Sequence, residues 1–104
     1  MNYKKIGKQT VQLENPPSII GAFSSVGVKE GQGPLAKYFD KIYDDDMLGE
    51  KTWEKAESRL VKETIEGAIT NACLSANQID YIFTGDLLNQ CSGSAFGIKD
   101  FNIP

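Results

Sequence analysis

Residues 18–26 (S-I-I-G-A-F-S-S-V) follow two prolines, carry no charge and are rich in small and β-compatible side chains. Such a run predicts a strand buried on both faces, and Gly21 within it predicts another backbone passing close by. The chain then turns glycine-rich from Gly27 to Gly33. Pro34 sits where a first helical residue would, with Leu35, Tyr38, Phe39 and Ile42 at helical spacing behind it, which predicts a short amphipathic helix.

Asp44, Asp45, Asp46 and Gly49 break that pattern, and Thr52 can cap a second, longer helix whose first turn holds Glu54 and Glu57. Its apolar stripe is Trp53, Ala56, Leu60, Val61, Thr64, Ile65, Ala68, Ile69 and Ala72, with a charged face opposite. Ser75 and Gln78 have the spacing of a capping box, and residues 81–84 behind them read as a second short strand ending at Gly85. A helix of about twenty residues between two buried strands predicts an α/β fold with a parallel, right-handed βαβ crossover. Residues 87–101 read as a loop entering another short helix, and the last residues, Asn102, Ile103 and Pro104, stand where a further strand is expected. Residues 1–104 are taken as one folding unit. Two buried strands leave unpaired edges, so the isolated chain is expected to be poorly stable.

Composition removes several function classes. The net charge of −3, with both signs interspersed, gives no basic field for phosphates and argues against nucleic-acid binding. The chain has no histidine, so the commonest general base and metal ligand are both missing, and Ser-His or Cys-His catalysis cannot be assembled from it. Cys73 and Cys91 are too far apart for a CxxC pair and read as reduced thiols. The lysines near the start lead into polar residues rather than the apolar run of a signal peptide, and no window could span a bilayer, so an intracellular protein is expected.

Three motifs compete for chemistry. Gly31, Gly33 and Ala36 spell G-x-G-x-x-A between a strand and a helix, but the first glycine does not follow the strand directly and Pro34 lacks the N–H a pyrophosphate would use. Asp44, Asp46 and Gly49 fit three positions of a calcium loop, yet Leu48 stands where an oxygen is needed and Lys55 where the bidentate glutamate belongs. The best position is Gly85, Asp86, Leu87, Leu88, Asn89, Gln90, directly after the second predicted strand, where parallel α/β sheets collect their ligands. One carboxylate and two amides can orient a ligand but supply no nucleophile. Asp86 could equally cap the following helix, with the amides satisfying turn backbone.

Four blocks, E-N-P-P-S-I-I-G from Glu14, V-G-V-K-E-G-Q-G-P-L from Val26, D-D-M-L-G-E-K-T-W-E-K-A-E from Asp45 and I-D-Y-I-F-T-G-D-L-L-N-Q from Ile79, closely resemble the opening part of the stage V sporulation protein AD family of spore-forming bacteria. That family is similar to thiolases and type III ketoacyl synthases, whose fold is a duplicated five-layered α/β arrangement that usually dimerises. The resemblance implies a partial thiolase-like fold here, ending before the strand and turn that carry the family cysteine, so neither Cys73 nor Cys91 inherits a nucleophilic role. It implies a non-catalytic binder of dipicolinic acid, taken free or as its calcium chelate, that acts in dipicolinate uptake into the developing spore. The binder would work beside membrane-embedded stage V sporulation partners, peripheral at the spore inner membrane, with no cofactor. Asp86, Asn89 and Gln90 would lie on or beside the pocket. The rival class is a fragment of a condensing enzyme acting on acyl thioesters. Cys73, where relatives tend to have glycine or asparagine, and residues 91–93 depart from the family pattern. The former occupies a helix end that favours a left-handed backbone.

Overall fold

In the computed structural model, which describes residues 2–104, the elements in chain order are β1 (Tyr3–Ile6), β2 (Thr10–Leu13), β3 (Ser25–Val26), α1 (Val28–Gly31), β4 (Lys41–Ile42), α2 (Trp53–Asn71) and α3 (Ser92–Ile98), with 3-10 turns at Ala36–Tyr38, Ala76–Gln78 and Lys99–Phe101. The chain is mixed α/β, with one antiparallel and one parallel two-stranded sheet. In the antiparallel pair Tyr3 lies opposite Leu13 and Ile6 opposite Thr10. The chain reverses through Gly7, whose φ of 66° is open to glycine at little cost. The hairpin is almost wholly exposed.

α2 forms as its sequence signals predict. The Thr52 hydroxyl accepts the Lys55 N–H at 3.2 Å, which satisfies one of the orphan donors of the first turn. At the other end the Cys73 N–H reaches the Thr70 carbonyl at 2.9 Å and the Leu74 N–H reaches Ile69 at 3.1 Å. These two bonds make a Schellman ending with Cys73 in the left-handed position at φ 57°. Beyond it, the Gln78 side chain accepts the Ser75 N–H at 2.9 Å and fixes the next turn. The predicted stripe is correct except at its start: Ala56 is buried, whereas Trp53 is 56% exposed.

Three elements differ from the sequence reading. Of residues 18–26 only Ser25 and Val26 form a strand, paired in parallel with Lys41 and Ile42. A strand requires a ladder partner, and β4 offers two residues. The helix expected behind Pro34 is replaced by a short turn, and helix α1 forms earlier, inside the glycine-rich segment. Competing hydrogen bonds explain the change. The Asp40 carboxylate accepts the Ser24 N–H at 2.7 Å and the Ser24 hydroxyl at 2.9 Å, while the Ser24 carbonyl accepts from Asp40 and Lys41 at 3.1 and 3.0 Å. Those bonds draw residues 40–42 out of a helix and into β4. In the same way Asp46 Oδ1 accepts the Val28 N–H at 2.9 Å, where α1 begins. Third, residues 81–84 form no strand, and the Ile82 N–H donates instead to the Pro104 carbonyl at 2.9 Å. The predicted crossover through α2 is therefore not closed, and the parallel pairing lies between β3 and β4.

α2 is the surface on which the other segments lie. A Cβ at Gly21 would stand 2.8 Å from the Ala68 carbonyl oxygen and 2.8 Å from the Ala72 methyl, so the extended segment crosses the helix at backbone distance. Gly67 makes room for the Phe23 ring, and Gly97 of α3 sits over the Ser58 carbonyl and Val61. Asn71 holds the Ala22 carbonyl at 2.8 Å, and the Thr64 hydroxyl donates to the Leu60 carbonyl at 2.6 Å while accepting from the Ser25 hydroxyl at 2.8 Å.

On the β4 side, the Tyr43 hydroxyl, Lys41 and Arg59 converge on the Glu63 carboxylate, with Lys41 at 3.0 Å and Arg59 at 2.8 Å. Burial by itself would raise the Glu63 carboxyl, but the Tyr43 hydrogen bond and the two cations outweigh it and hold the group at about 2. Arg59 also donates to the Leu48 carbonyl at 2.6 Å, tying the acidic loop to the helix.

Tyr43, Leu48 and Ala56 are the buried apolar residues, while Ile19, Phe83 and Leu87 are 92%, 93% and 96% exposed. The accessible surface is 8161 Å², against about 5,800 Å² for a folded monomer of this mass. The radius of gyration is 16.5 Å, where a compact domain of this length has about 13 Å. With so little apolar surface withdrawn from water, the isolated chain should lose its helical signal over a broad temperature range and bind an apolar dye at room temperature; a sharp two-state melt of the monomer would refute this. Glu63 has a depressed carboxyl, so its stabilising contribution is complete above its unfolded value near 4.5 and disappears as pH falls through about 2. Glu63→Gln should therefore reduce helicity at neutral pH, and the difference from the parent chain should vanish by about pH 2 in an acid titration followed by circular dichroism.

Candidate functional site

The G-D-L-L-N-Q loop follows residues 79–84 and leads into α3. Gly85 has open space around it, and Asp86 then turns its carboxylate toward the helix start. Asp86 Oδ1 accepts the Cys91 N–H at 3.1 Å and Oδ2 accepts the Ser94 N–H at 2.7 Å. The Ser94 backbone bond is the main reason its carboxyl lies below the ordinary aspartate value, with the Ser94 side chain and the Cys91 N–H adding to it. The loop closes further through the Asn89 carbonyl, which accepts from Ser92 at 2.8 Å, and through the Ser94 hydroxyl, which donates to the Cys91 carbonyl at 3.2 Å.

The bonds from Asp86 hold an unusual backbone. Gln90 and Cys91 are consecutive left-handed residues, with φ of 40° and 69°. Each is a conformation that L side chains adopt at a cost. Cys91 stands at the cap position of α3 without making a side-chain cap bond. Asp86, five residues upstream, supplies the acceptor that Cys91 lacks.

Glu57 of α2 also supports the loop, a role that sequence reasoning passed over by reading it only as a first-turn acid of that helix. Its Oε2 accepts the Leu87 N–H at 3.2 Å, and the carboxylate lies against Gly93, where any Cβ would collide with it. Glu57 closes the W-E-K-A-E block, so two of the sequence blocks singled out by resemblance meet in space. Asp46, from the same block as Glu57, likewise meets Val28 of a third block. That pairing of blocks was the available signal.

Of the three proposed ligand residues, Asp86 is half-buried and occupied by backbone N–H groups, whereas Asn89 and Gln90 are exposed on the same loop beside exposed Leu87 and Leu88. A groove of about 800 Å³ lies elsewhere, between the outer face of α2 and α3. Two of the four cations that line it are already paired, Arg59 with Glu63 at 2.8 Å and Lys62 with Asp100 at 3.2 Å. In the acidic loop Asp45 accepts the Met47 and Gly49 N–H groups at 3.0 and 2.9 Å, and Asp46 holds Val28, so these carboxylates organise backbone. Among the described residues no three His, Cys, Asp or Glu side chains are grouped to hold a metal ion, and no helix is long and apolar enough to cross a membrane.

Residues 7–104 match the sequence model of a family described as Stage V sporulation protein AD (SpoVAD). The chain is similar to Stage V sporulation protein AD of Bacillus subtilis (strain 168), with 37% identity over 101 residues that make up 97% of this chain and 30% of that relative. It therefore spans under a third of the length of the curated relative.

Removal of the Asp86 carboxylate should loosen the start of α3. In Asp86→Ala the Cys91 and Ser94 amides should exchange with solvent roughly 3- to 30-fold faster, the usual consequence of losing a helix cap. Asn89→Ala should leave both amides unchanged, because Asn89 serves the loop through its backbone carbonyl. Hydrogen exchange followed by NMR distinguishes the two variants.

Proposed function

We propose a function for this chain on one established footing: it belongs to the Stage V sporulation protein AD family, and its role is therefore in sporulation. Within that role, the chain is the opening part of a non-catalytic, thiolase-like binding protein for dipicolinic acid, acting in dipicolinate uptake into the developing spore. The complete protein would be a homodimer that works with membrane-embedded stage V partners, peripheral at the spore inner membrane.

The observation that supports this reading is the division of labour within the loop. A free carboxylate would repel a dicarboxylate ligand, but both oxygens of Asp86 are turned to backbone N–H groups. Asp86 then positions the loop, and the exposed Asn89 and Gln90 amides are left to meet the ligand. Amide N–H groups donate to carboxylate oxygens without contributing a fixed charge, and they serve a neutral calcium chelate equally well. The loop offers amides and a committed carboxylate, groups that orient a ligand rather than attack one, and binding is the reading these groups support.

The test replaces the matching opening part of the Bacillus subtilis relative with this chain and titrates dipicolinate calorimetrically, with and without calcium. Binding should be measurable, and Asn89→Ala should weaken it by roughly 5- to 150-fold, the cost of leaving a buried polar partner unpaired. Heat-silent titrations of a folded chimaera would sink the proposal. Turnover of an acyl thioester by that chimaera would replace it with the condensing-enzyme reading.

A further inference from the structure

Charge is not spread evenly along this chain. Residues 1–13 hold Lys4, Lys5 and Lys8 and no acid, whereas residues 14–104 carry eight basic against fourteen acidic side chains, a net of −6. The basic stretch is the β1–β2 hairpin. Its register puts Tyr3, Lys5, Val11 and Leu13 on one face and Lys4, Ile6, Thr10 and Gln12 on the other, with Lys8 in the turn between the strands. Both faces are in water: Tyr3, Ile6 and Val11 are 65%, 48% and 55% exposed, and the three lysines are exposed with them. A two-stranded hairpin wetted on both sides is marginal by itself, so this one gains stability from whatever covers it.

The placement of its charges selects the cover. Lys4 and Lys5 project to opposite faces and Lys8 lies at the tip, so the cations surround Ile6 and Val11 rather than forming one row. A fixed row of acids on a protein surface would meet one face of that arrangement and leave the other. Anionic lipid headgroups are mobile, and a hairpin entering them tip first is met by negative charge on every side. Lysine stems can lie along the apolar side chains there while their heads stay among the headgroups. Repulsion from the acidic remainder of the chain is screened beyond about 8 Å at physiological ionic strength.

We propose that the β1–β2 hairpin docks this chain on an anionic lipid surface, with Lys4, Lys5 and Lys8 on the headgroups and Ile6 and Val11 at the boundary with the acyl chains. The inference names the contact for the membrane-peripheral role proposed above and rests on that reading. Each lysine at an anionic leaflet strengthens partitioning by about fivefold, so the three together supply about 100-fold.

The experiment measures cosedimentation of the chimaera carrying this chain with vesicles of equal parts phosphatidylglycerol and phosphatidylcholine, and with vesicles of phosphatidylcholine alone. Binding is expected on the anionic vesicles only, and it should weaken as salt is raised. Replacing Lys4, Lys5 and Lys8 together by Gln should reduce it about 100-fold. Replacing Lys29, Lys37 and Lys51 together by Gln makes the same change in net charge at exposed positions elsewhere, and should alter binding by less than about threefold. The hairpin contains no helix, so the helical circular dichroism of both triple variants should match the parent, which separates loss of docking from loss of fold. Equal loss from the two triple variants, equal binding to neutral vesicles, or no vesicle binding by a chimaera that still binds dipicolinate would each overturn the proposal, the last leaving the pocket reading in place. Self-association at low salt without lipid, relieved by the hairpin triple variant, would overturn it in favour of an acidic face on a second copy.

Discussion

Close approach to α2 is the constraint on which the rest of the chain depends. No other helix here is long enough to present an extended apolar stripe, and its neighbours reach it through missing side chains. Gly21 brings an extended backbone to within Cβ distance of Ala68 and Ala72, Gly67 admits the Phe23 ring, and Gly97 seats α3 over Ser58 and Val61. Side chains larger than hydrogen at these points would have to displace backbone, because the facing atoms at Gly21 and Gly97 include carbonyl oxygens. The two polar clusters then set orientation. Asp40 with Ser24 fixes the register of β3 against β4, and Glu63 with Tyr43, Lys41 and Arg59 fastens β4 to the helix.

Elements whose stabilising partners lie nearby in the chain were legible in the sequence. Thr52 caps α2 through a residue three positions on, Cys73 ends it through bonds to Thr70 and Ile69, and Ser75 meets Gln78 across one turn. Elements decided by distant partners were not. The apolar spacing of Leu35, Tyr38, Phe39 and Ile42 satisfies a helix template, but Ser24, sixteen residues before Asp40, captures the chain before a helix can form. Residues 18–24 and 81–84 have the composition of buried strands, yet composition does not supply a ladder partner, and this chain provides few. The β1–β2 hairpin was hidden for the opposite reason, since its strands are exposed and only four residues long, and β1, Y-K-K-I, lacks the alternation that T-V-Q-L of β2 carries.

The candidate site divides along the same line. That the loop after residues 79–84 is a structured feature follows from its position and from the acids and amides it carries. Which of those groups is committed could not be read, because Asp86 acts on Cys91 and Ser94, and Glu57 reaches Leu87 from thirty residues away. A carboxylate between two N–H donors beside two left-handed residues spends its hydrogen-bonding capacity on shape. Chemical availability passes to the neighbouring amides, a distinction that the residue types do not make.

The open edge and the loop are also mechanically linked. Residues 79–84 enter Gly85 directly, so the direction in which Asp86 leaves that segment is set by how the segment is paired. Among the described residues one hydrogen bond, from the Ile82 N–H to the Pro104 carbonyl, fixes the segment's backbone from residue 80 on, and Glu57 and Asp86 fix the loop from the helix side. A segment held by one rung can rotate about it, whereas one flanked by strands cannot. Asn89 and Gln90 lie beyond the capped turn, so any such rotation is carried to their amides with Asp86 as the pivot. A ligand that needs both amides at fixed positions would therefore bind most tightly when residues 79–84 are held at more than one point.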